Sequence, residues 1–392
     1  MPWPKILSDN IHYAIRSPLV HRYIRLIALL AVTTILPAKF MAQTPAQPAG
    51  KPLRVAIVGL VHGHVGGFLE SALKRSDIQI VGVAEPDQQI AQRRANEFKL
   101  DSQLLYSDVE KMLTSVHAQA VLVYTDTRDH RRIVEVAARH GIPVMMEKPL
   151  AVSLDDALAI QRAADAAHIA VLVNYETTWY PSNNAVYQLV RDGALGDIRK
   201  VVIHDGHKGP QEIGVEPEFL AWLTDPARDG GGALFDFGCY GADLMTWLMQ
   251  GATPLAVTAV TQQIKPKIYP HVDDEATIIL TYPRAQAILQ ASWNWPFDRK
   301  DMEVYGETGQ AITVRRDDVR VRRKGDDAER QQAAPALAAP YNDSISYLIA
   351  VVSGEIKPAG LSALDTNVTV VRILDAARES AKTGRTIRLA ER

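Results

Sequence analysis

Apolar residues follow two spacings in the first half of the chain. Leu53-Arg54-Val55-Ala56-Ile57-Val58 is a β-branched run closed by Gly59, and Val65, Phe68, Leu69, Ala72 and Leu73 then recur at helical spacing. The order strand, tight turn, helix repeats. Residues 78–84 and 120–124 read as strands, 131–139 as a helix, 142–146 as a strand, 153–168 as a helix and 170–175 as a further strand. This alternation predicts an α/β chain with a doubly wound parallel sheet.

The spacing changes after Gly196-Asp197. Stretches 198–204, 256–264, 275–282, 285–293 and 302–305 follow one another with short connections, which predicts a large, mostly antiparallel sheet rather than more βαβ units. A long helix over 366–383 is expected to return to the first domain, leaving a cleft between the two. The expected division is an export signal and linker at 1–50, an α/β domain at 51–175 and a second domain at 176–392.

The first fifty residues differ from the rest. Lys5, Arg16, Arg22 and Arg25 precede an apolar stretch, Leu26 to Leu36, and Ala38, Ala42 and a Gln-, Pro- and Ala-rich linker follow. That is the form of an export signal, so a periplasmic or secreted location is expected. The apolar stretch is shorter than the roughly twenty residues that span a bilayer, although an uncleaved anchor stays open. Phe40 is a poor fit to a cleavage site after Ala42, and no twin arginine is present.

Composition narrows the class. With 392 residues, 47% of them hydrophobic, a core for about two domains is available. A net charge of -2 with dispersed basic residues gives no footprint for nucleic acid. The cluster from Arg315 to Arg330 alternates in sign and reads as a solvated hairpin or loop. The single cysteine, Cys239, excludes an intrachain disulfide and any multi-cysteine metal site. No G-x-S-x-G, H-E-x-x-H or G-x-x-x-x-G-K-[ST] segment occurs, which removes serine hydrolase, zinc protease and P-loop chemistries.

The remaining chemistry collects at strand ends. Glu85, closing the second strand about twenty-six residues after Gly59, suits the ribose hydroxyls of a bound dinucleotide. Its carboxylate would repel a 2′-phosphate, which favours NAD, while Arg93 and Arg94 leave NADP open. The glycine fingerprint is incomplete: Gly59, Val61 and His64 stand where three glycines are usual, and Gly63 relaxes the turn beside His62. The two histidines have neither a carboxylate nor a cysteine beside them in sequence and are read as phosphate-loop residues, with no metal. Further on, Glu147-Lys148-Pro149 puts an amine at the carboxyl end of a buried parallel strand, where such sheets hold their ligands.

Taken in order, Gly59, Glu85, Thr125 with His130, Glu147-Lys148-Pro149 and Gly230-Gly231-Gly232-x-Leu-x-Asp236-x-Gly238-x-Tyr240-x-x-Asp243 resemble the Gfo/Idh/MocA oxidoreductases. The resemblance runs from about Leu53 to the carboxyl end. It implies a Rossmann domain, a carboxyl-terminal α/β domain on a large open sheet whose outer face commonly makes an oligomer, and tightly held NAD or NADP. A homo-oligomer, dimer or tetramer, and sugar or polyol substrates are expected from it. Gly59, Val61, His62, Gly63, His64, Glu85, Thr125, His130, Glu147 and Lys148 are the expected cofactor residues.

Lys148 is expected to stabilise charge on the reacting oxygen, its pKa lowered by a neighbouring oxidised nicotinamide. Many members have histidine where this chain has Tyr240. Tyrosine stands there in members resembling glucose-fructose oxidoreductase and dihydrodiol dehydrogenase, where it is the proposed acid/base. Tyr240 is therefore expected to transfer the proton and Asp236 to orient. Asn174, Glu176 and Trp179 complete the expected substrate wall. Where relatives often have Asn-Arg-Arg, this chain has Asn174-Tyr175-Glu176, so a neutral sugar is expected. Asp205, His207, Lys208 and Trp293-Asn294-Trp295 are weaker cleft candidates. Two alternatives stand beside redox turnover: an exported hydrolase that uses bound NAD in an oxidation-elimination cycle, and a non-catalytic sugar-binding protein.

Overall fold

The computed structural model describes residues 50–389, so the export-signal and anchor readings, which rest on residues 1–49, fall outside the described residues. The first sheet contains β1 (Leu53–Val58), β2 (Ile78–Ala84), β3 (Leu105–Tyr106), β4 (Ala120–Val123), β5 (Val144–Glu147) and β6 (Val171–Asn174). All six are parallel, in the order β3-β2-β1-β4-β5-β6. Because chain order reverses between β1 and β4, their carboxyl ends open a crevice. Every residue of β4 and β5 is buried, as a sheet covered on both faces requires.

The second sheet holds β7 (Ile198–Gly206), β8 (Ala256–Gln262), β9 (Glu275–Thr281), β10 (Gln286–Ser292), β11 (Arg299–Gly306), β12 (Gly309–Arg315), β13 (Asp318–Arg323), β14 (Arg330–Ala333) and β15 (Ile387–Arg388). Their order is β14-β13-β12-β11-β7-β10-β9-β8-β15. Only β7 with β10 is parallel among these neighbours. Burial alternates along β9 with period two, so one face is packed and the other is open. Helices Gly238–Leu248 and Leu364–Thr383 pack on the covered face.

Two connections tie the halves together. Helix Leu364–Thr383 also packs on helix Leu154–Ala167 and on β6, the return expected from sequence. Helix Ser344–Val352 was not anticipated. Its Ile345, Leu348 and Val351 join Val55, Ile57 and Leu69 in one apolar cluster, so by packing it belongs to the first sheet although it lies beyond residue 176. Asp343 caps it by accepting from Ser346 N, and Arg75 bonds both Asp343 and Ser346. Among the described residues, no helix is long and apolar enough to cross a membrane.

Two glycines are obligatory for the geometry that follows. Gly59 has φ +83°, and a Cβ there would lie 2.5 Å from Thr125 Cγ2. At Gly232 a Cβ would lie 1.8 Å from the Asp273 carbonyl oxygen, which brings the start of helix Ala233–Asp236 against the β8–β9 connection.

Candidate active site

Lys148 leaves the end of β5 and meets the second domain directly. Its Nζ donates to Asp236 Oδ1 at 2.5 Å and to the Asp236 carbonyl at 3.1 Å. The other carboxylate oxygen, Oδ2, accepts from Trp293 Nε1 at 2.9 Å. All three side chains are buried. Burial alone would lower the Lys148 pKa, but the Asp236 carboxylate overrides it and raises the value. For Asp236 burial pushes up and Lys148 pulls down, and the pull wins. Both groups are thus held charged, and Asp236 sets the direction of the Lys148 shift against the lowering expected beside an oxidised nicotinamide.

Tyr240 stands beside the pair. The backbone turns at Phe237 between helix Ala233–Asp236 and helix Gly238–Leu248, which puts Tyr240 with its ring centroid 5.2 Å from Lys148 Nζ. Tyr175 and Phe237 fix the ring at centroid distances of 5.3 and 6.0 Å. Burial pushes the phenol above its ordinary pKa, so it is present as O–H. Asp243, one turn further on, is fully buried with neither carboxylate oxygen bonded.

Sequence reasoning missed Lys300. In the β11–β7 register it lies opposite Asp205, its Nζ is 5.1 Å from the Tyr240 ring centroid, and it pairs with Glu176. Glu176 also accepts from Tyr180 Oη at 2.5 Å. Glu176, Tyr180, His207 and Lys300 line a cleft of about 550 Å³, and Lys300 connects it to the buried Tyr240. No local pattern marks Lys300; strand register alone brings it there. Lys208 offers its carbonyl to Lys265, and Asn294 bonds Asp274 and Glu275, so neither is among the residues lining this cleft.

Asn174 and Trp179 form a hydrogen-bonded chain to Glu147. Trp179 Nε1 donates to Asn174 Oδ1 at 3.0 Å, and Asn174 Nδ2 donates to Glu147 Oε1 at 2.9 Å. The Trp179 ring packs on Tyr347. Asn174 thus orients Glu147, and Trp179 in turn holds Asn174.

Glu147 Oε2 lies 2.9 Å from His64 Nδ1. His62, His64 and Glu147 offer ligand atoms within 4.8 Å of one another, so the carboxylate missing from the local sequence arrives from β5. Two of the ring nitrogens are already engaged: His62 Nδ1 accepts from His64 N, and His64 Nδ1 faces Glu147. Burial would raise the Glu147 pKa, but attraction to His64, the hydrogen bond from it, His62 and Asn174 bring it down to about 2. With the folded value below the ordinary 4.5, Glu147 contributes stability above that value, and this is lost as pH falls toward about 2. Glu147→Gln is expected to flatten that acid limb by on the order of 2 kcal/mol in urea unfolding between about pH 6 and about pH 3; an unchanged limb would contradict the assignment.

The dinucleotide side is built around Glu85. Its Oε2 accepts from Leu60 N at 2.8 Å and its Oε1 from Asp87 N at 2.9 Å, fixing the carboxylate over a cleft of about 180 Å³ lined by Gly59, Val61 and Thr125. Helix Pro217–Leu223 covers the loop: Trp222 Nε1 donates to Val61 O, and a Cβ at Gly63 would lie 3.2 Å from Phe219. Since His62 Nδ1 is an acceptor, its Nε2 bears the proton, and that N–H is buried with no acceptor among the described residues. The orphaned donor, the open glycine turn and the placed carboxylate fit a dinucleotide. Arg93 is paired with Glu218 and Arg94 with Glu97 and Glu216, so both arginines are committed away from a 2′-phosphate. His130 does not line this cleft. Its buried Nδ1 lies 3.1 and 3.2 Å from the Pro149 and Leu150 carbonyls and pins the turn after Lys148.

Comparison with known proteins decides the family. Residues 53–175 match the oxidoreductase family with an NAD-binding Rossmann fold, and residues 184–312 match the GFO/IDH/MocA C-terminal domain. The chain is a Gfo/Idh/MocA oxidoreductase. D-apiose dehydrogenase of Paraburkholderia graminis is 28% identical over 208 residues, 52% of this chain and 51% of that protein. Trans-1,2-dihydrobenzene-1,2-diol dehydrogenase of Oryctolagus cuniculus is 28% identical over 231 residues, 58% of this chain and 65% of that protein. The chain thus spans about half to two thirds of the length of these curated relatives.

Among solved structures, aldose-aldose oxidoreductase of Caulobacter crescentus, complexed with glycerol, superposes with TM-score 0.73 at 23% identity, covering 86% of this chain and all of that one. An inositol dehydrogenase homologue of Azotobacter vinelandii, complexed with NAD+, gives 0.75 at 19%, covering 88% and 99%. At these identities the likeness is one of fold. In this Gfo/Idh/MocA chain the amino-terminal sheet is the NAD-binding Rossmann fold, and two helices packed on the second sheet, Ala233–Asp236 and Gly238–Leu248, bring Asp236 and Tyr240 to Lys148.

Proposed function

We propose that this protein transfers a hydride between bound NAD and a CH–OH carbon of a sugar, polyol or related diol. The observation that carries the reading is the Lys148 ammonium at the end of β5, held by Asp236, whose other oxygen accepts from Trp293, with Nζ 5.2 Å from the centroid of the Tyr240 ring. NAD supplies hydride acceptance and donation when bound. The chain's own groups orient the carbon and handle the proton. Lys148 donates a hydrogen bond to the reacting oxygen and stabilises its growing negative charge. Tyr240, whose hydroxyl makes no hydrogen bond to the described residues, takes or gives the proton on that oxygen. Glu176 and Lys300 hold the more distant hydroxyls. Names of relatives that act on apiose and on a dihydrodiol agree with a substrate bearing adjacent hydroxyls.

Commitment of Arg93 and Arg94 to acidic partners supports NAD over NADP. Denaturing the purified full chain and weighing any released nucleotide tests the cofactor. Following reduced-nicotinamide absorbance while adding aldoses, inositols and diols tests the reaction. A substrate-dependent change in absorbance is expected. Glycoside cleavage with no net change in cofactor state would replace this reading by the oxidation-elimination hydrolase, and a chain with no affinity for nucleotide would end it.

A further inference from the structure

A third cleft, of about 870 Å³, shares no lining residue with the Glu176–Lys300 cleft or the dinucleotide cleft. One part of its lining is aromatic: Tyr187 and Trp247 stack at 3.8 Å and 11°, while Tyr347 contacts both Trp179 and Tyr341. Tyr341 is 52% exposed. The lining also carries polar groups with no partner among the described residues: Trp247 Nε1, the side-chain amides of Asn184 and of the exposed Gln188, and the buried Ser362 and Thr178 hydroxyls. Gln250, also in the lining, has φ +55°, a left-handed backbone that non-glycine residues seldom adopt. Gly360 has φ +68°, and a Cβ there would approach Trp247 Nε1 to 3.3 Å.

We propose that this cleft is a binding site for a neutral saccharide, separate from the site of hydride transfer. The C–H faces of a pyranose present an apolar surface to aromatic rings, and its hydroxyls both donate and accept. Planar amides, an indole N–H and unpaired hydroxyls supply the complementary partners that an aromatic hydrocarbon or lipid chain would leave unsatisfied. No lysine or carboxylate lines the cleft, and Arg191, its one cation, is turned toward Tyr187 Oη and the Gln250 side-chain oxygen Oε1, so an anionic ligand has no matched partner set. The turn 176–179 separates the two clefts, with Glu176 facing Lys300 on one side and Thr178 and Trp179 on the other.

The experiment is titration of the full chain with cellotriose and maltotriose, read by tryptophan fluorescence and by calorimetry. Saturable binding is expected to weaken by at least about tenfold in Trp247→Ala and in Tyr187→Ala, and to persist in Lys148→Met. Circular dichroism reports whether the aromatic variants fold; if they do not, Gln188→Ala, at the rim, gives the deciding loss of affinity. Absence of binding by either saccharide, or binding lost in Lys148→Met but kept in Trp247→Ala, overturns the proposal. So does an aromatic probe such as anilinonaphthalene sulfonate binding where saccharides do not, or a change of oligomeric state in Trp247→Ala with no saccharide effect. Because Lys148→Met removes turnover and spares this cleft, failure here and failure of the redox reading remain distinguishable.

Discussion

Lys148→Met is expected to reduce turnover at least a hundredfold while NAD stays bound, because the variant removes the donor to the reacting oxygen and leaves Glu85 and the Gly59 turn intact. A second effect accompanies it. Asp236 would remain buried with Trp293 Nε1 as its one side-chain donor, and breaking a buried pair in this way costs about 3 kcal/mol or more. Lower stability can mimic lost catalysis. Adding Asp236→Leu separates the two, since removing both charges restores much of the stability and leaves turnover absent. Lys148→Arg should not rescue, because a planar guanidinium cannot take the position of a compact ammonium between the Asp236 side chain and its own carbonyl. Steady-state rates, bound-nucleotide stoichiometry and urea unfolding check the three claims. Normal turnover in Lys148→Met would remove the lysine from the chemistry.

Tyr240→Phe should separate rate from stability more cleanly. The hydroxyl bonds to no described residue, and Tyr175 and Phe237 hold the ring itself, so the fold should change by less than about 0.5 kcal/mol. The rate should fall by roughly 10²–10⁴ if the phenol transfers the proton. The limb of the pH profile that belongs to the phenol should disappear with it. Because burial raises the tyrosine pKa, the neutral acid predominates through neutral pH, and oxidation, which needs the base form, should accelerate toward alkaline pH in the wild type. An identical pH profile in Tyr240→Phe would assign the proton to another group.

Much of the first sheet was legible because its pattern is local. The β1 and β2 runs are apolar, bounded by Gly59 and by Pro86, and both strands begin and end where the periodicity predicts. The Lys148 position follows from the same logic. Less legible was whatever depends on register between distant strands. The alternation Val319, Arg320, Val321, Arg322 is a period-two signal for β13, but its charges also suit a solvated hairpin, which is how it reads in isolation. The hairpin is there, β13 pairing antiparallel with β14, and β13 is also paired on its other side by β12. Lys300 and Glu176 meet across 124 positions, which no window along the chain can register. The same holds for His64 and Glu147, whose pairing over 83 positions supplies the carboxylate that the local sequence lacks.

Helix Ser344–Val352 carries a consequence for how the molecule is made. The face of the first sheet that bears Val55 and Ile57 is completed by Ile345, Leu348 and Val351, nearly three hundred positions downstream. A ribosome that has synthesised the whole NAD-binding half therefore holds a sheet with one side incompletely covered, and it stays so until the chain beyond Val352 has emerged. Contacts of such long sequence separation slow folding, and exposed apolar strands recruit chaperones in the interval. A fragment ending near residue 175 would keep that apolar surface permanently, so the two halves of this enzyme are a single folding unit despite having two sheets.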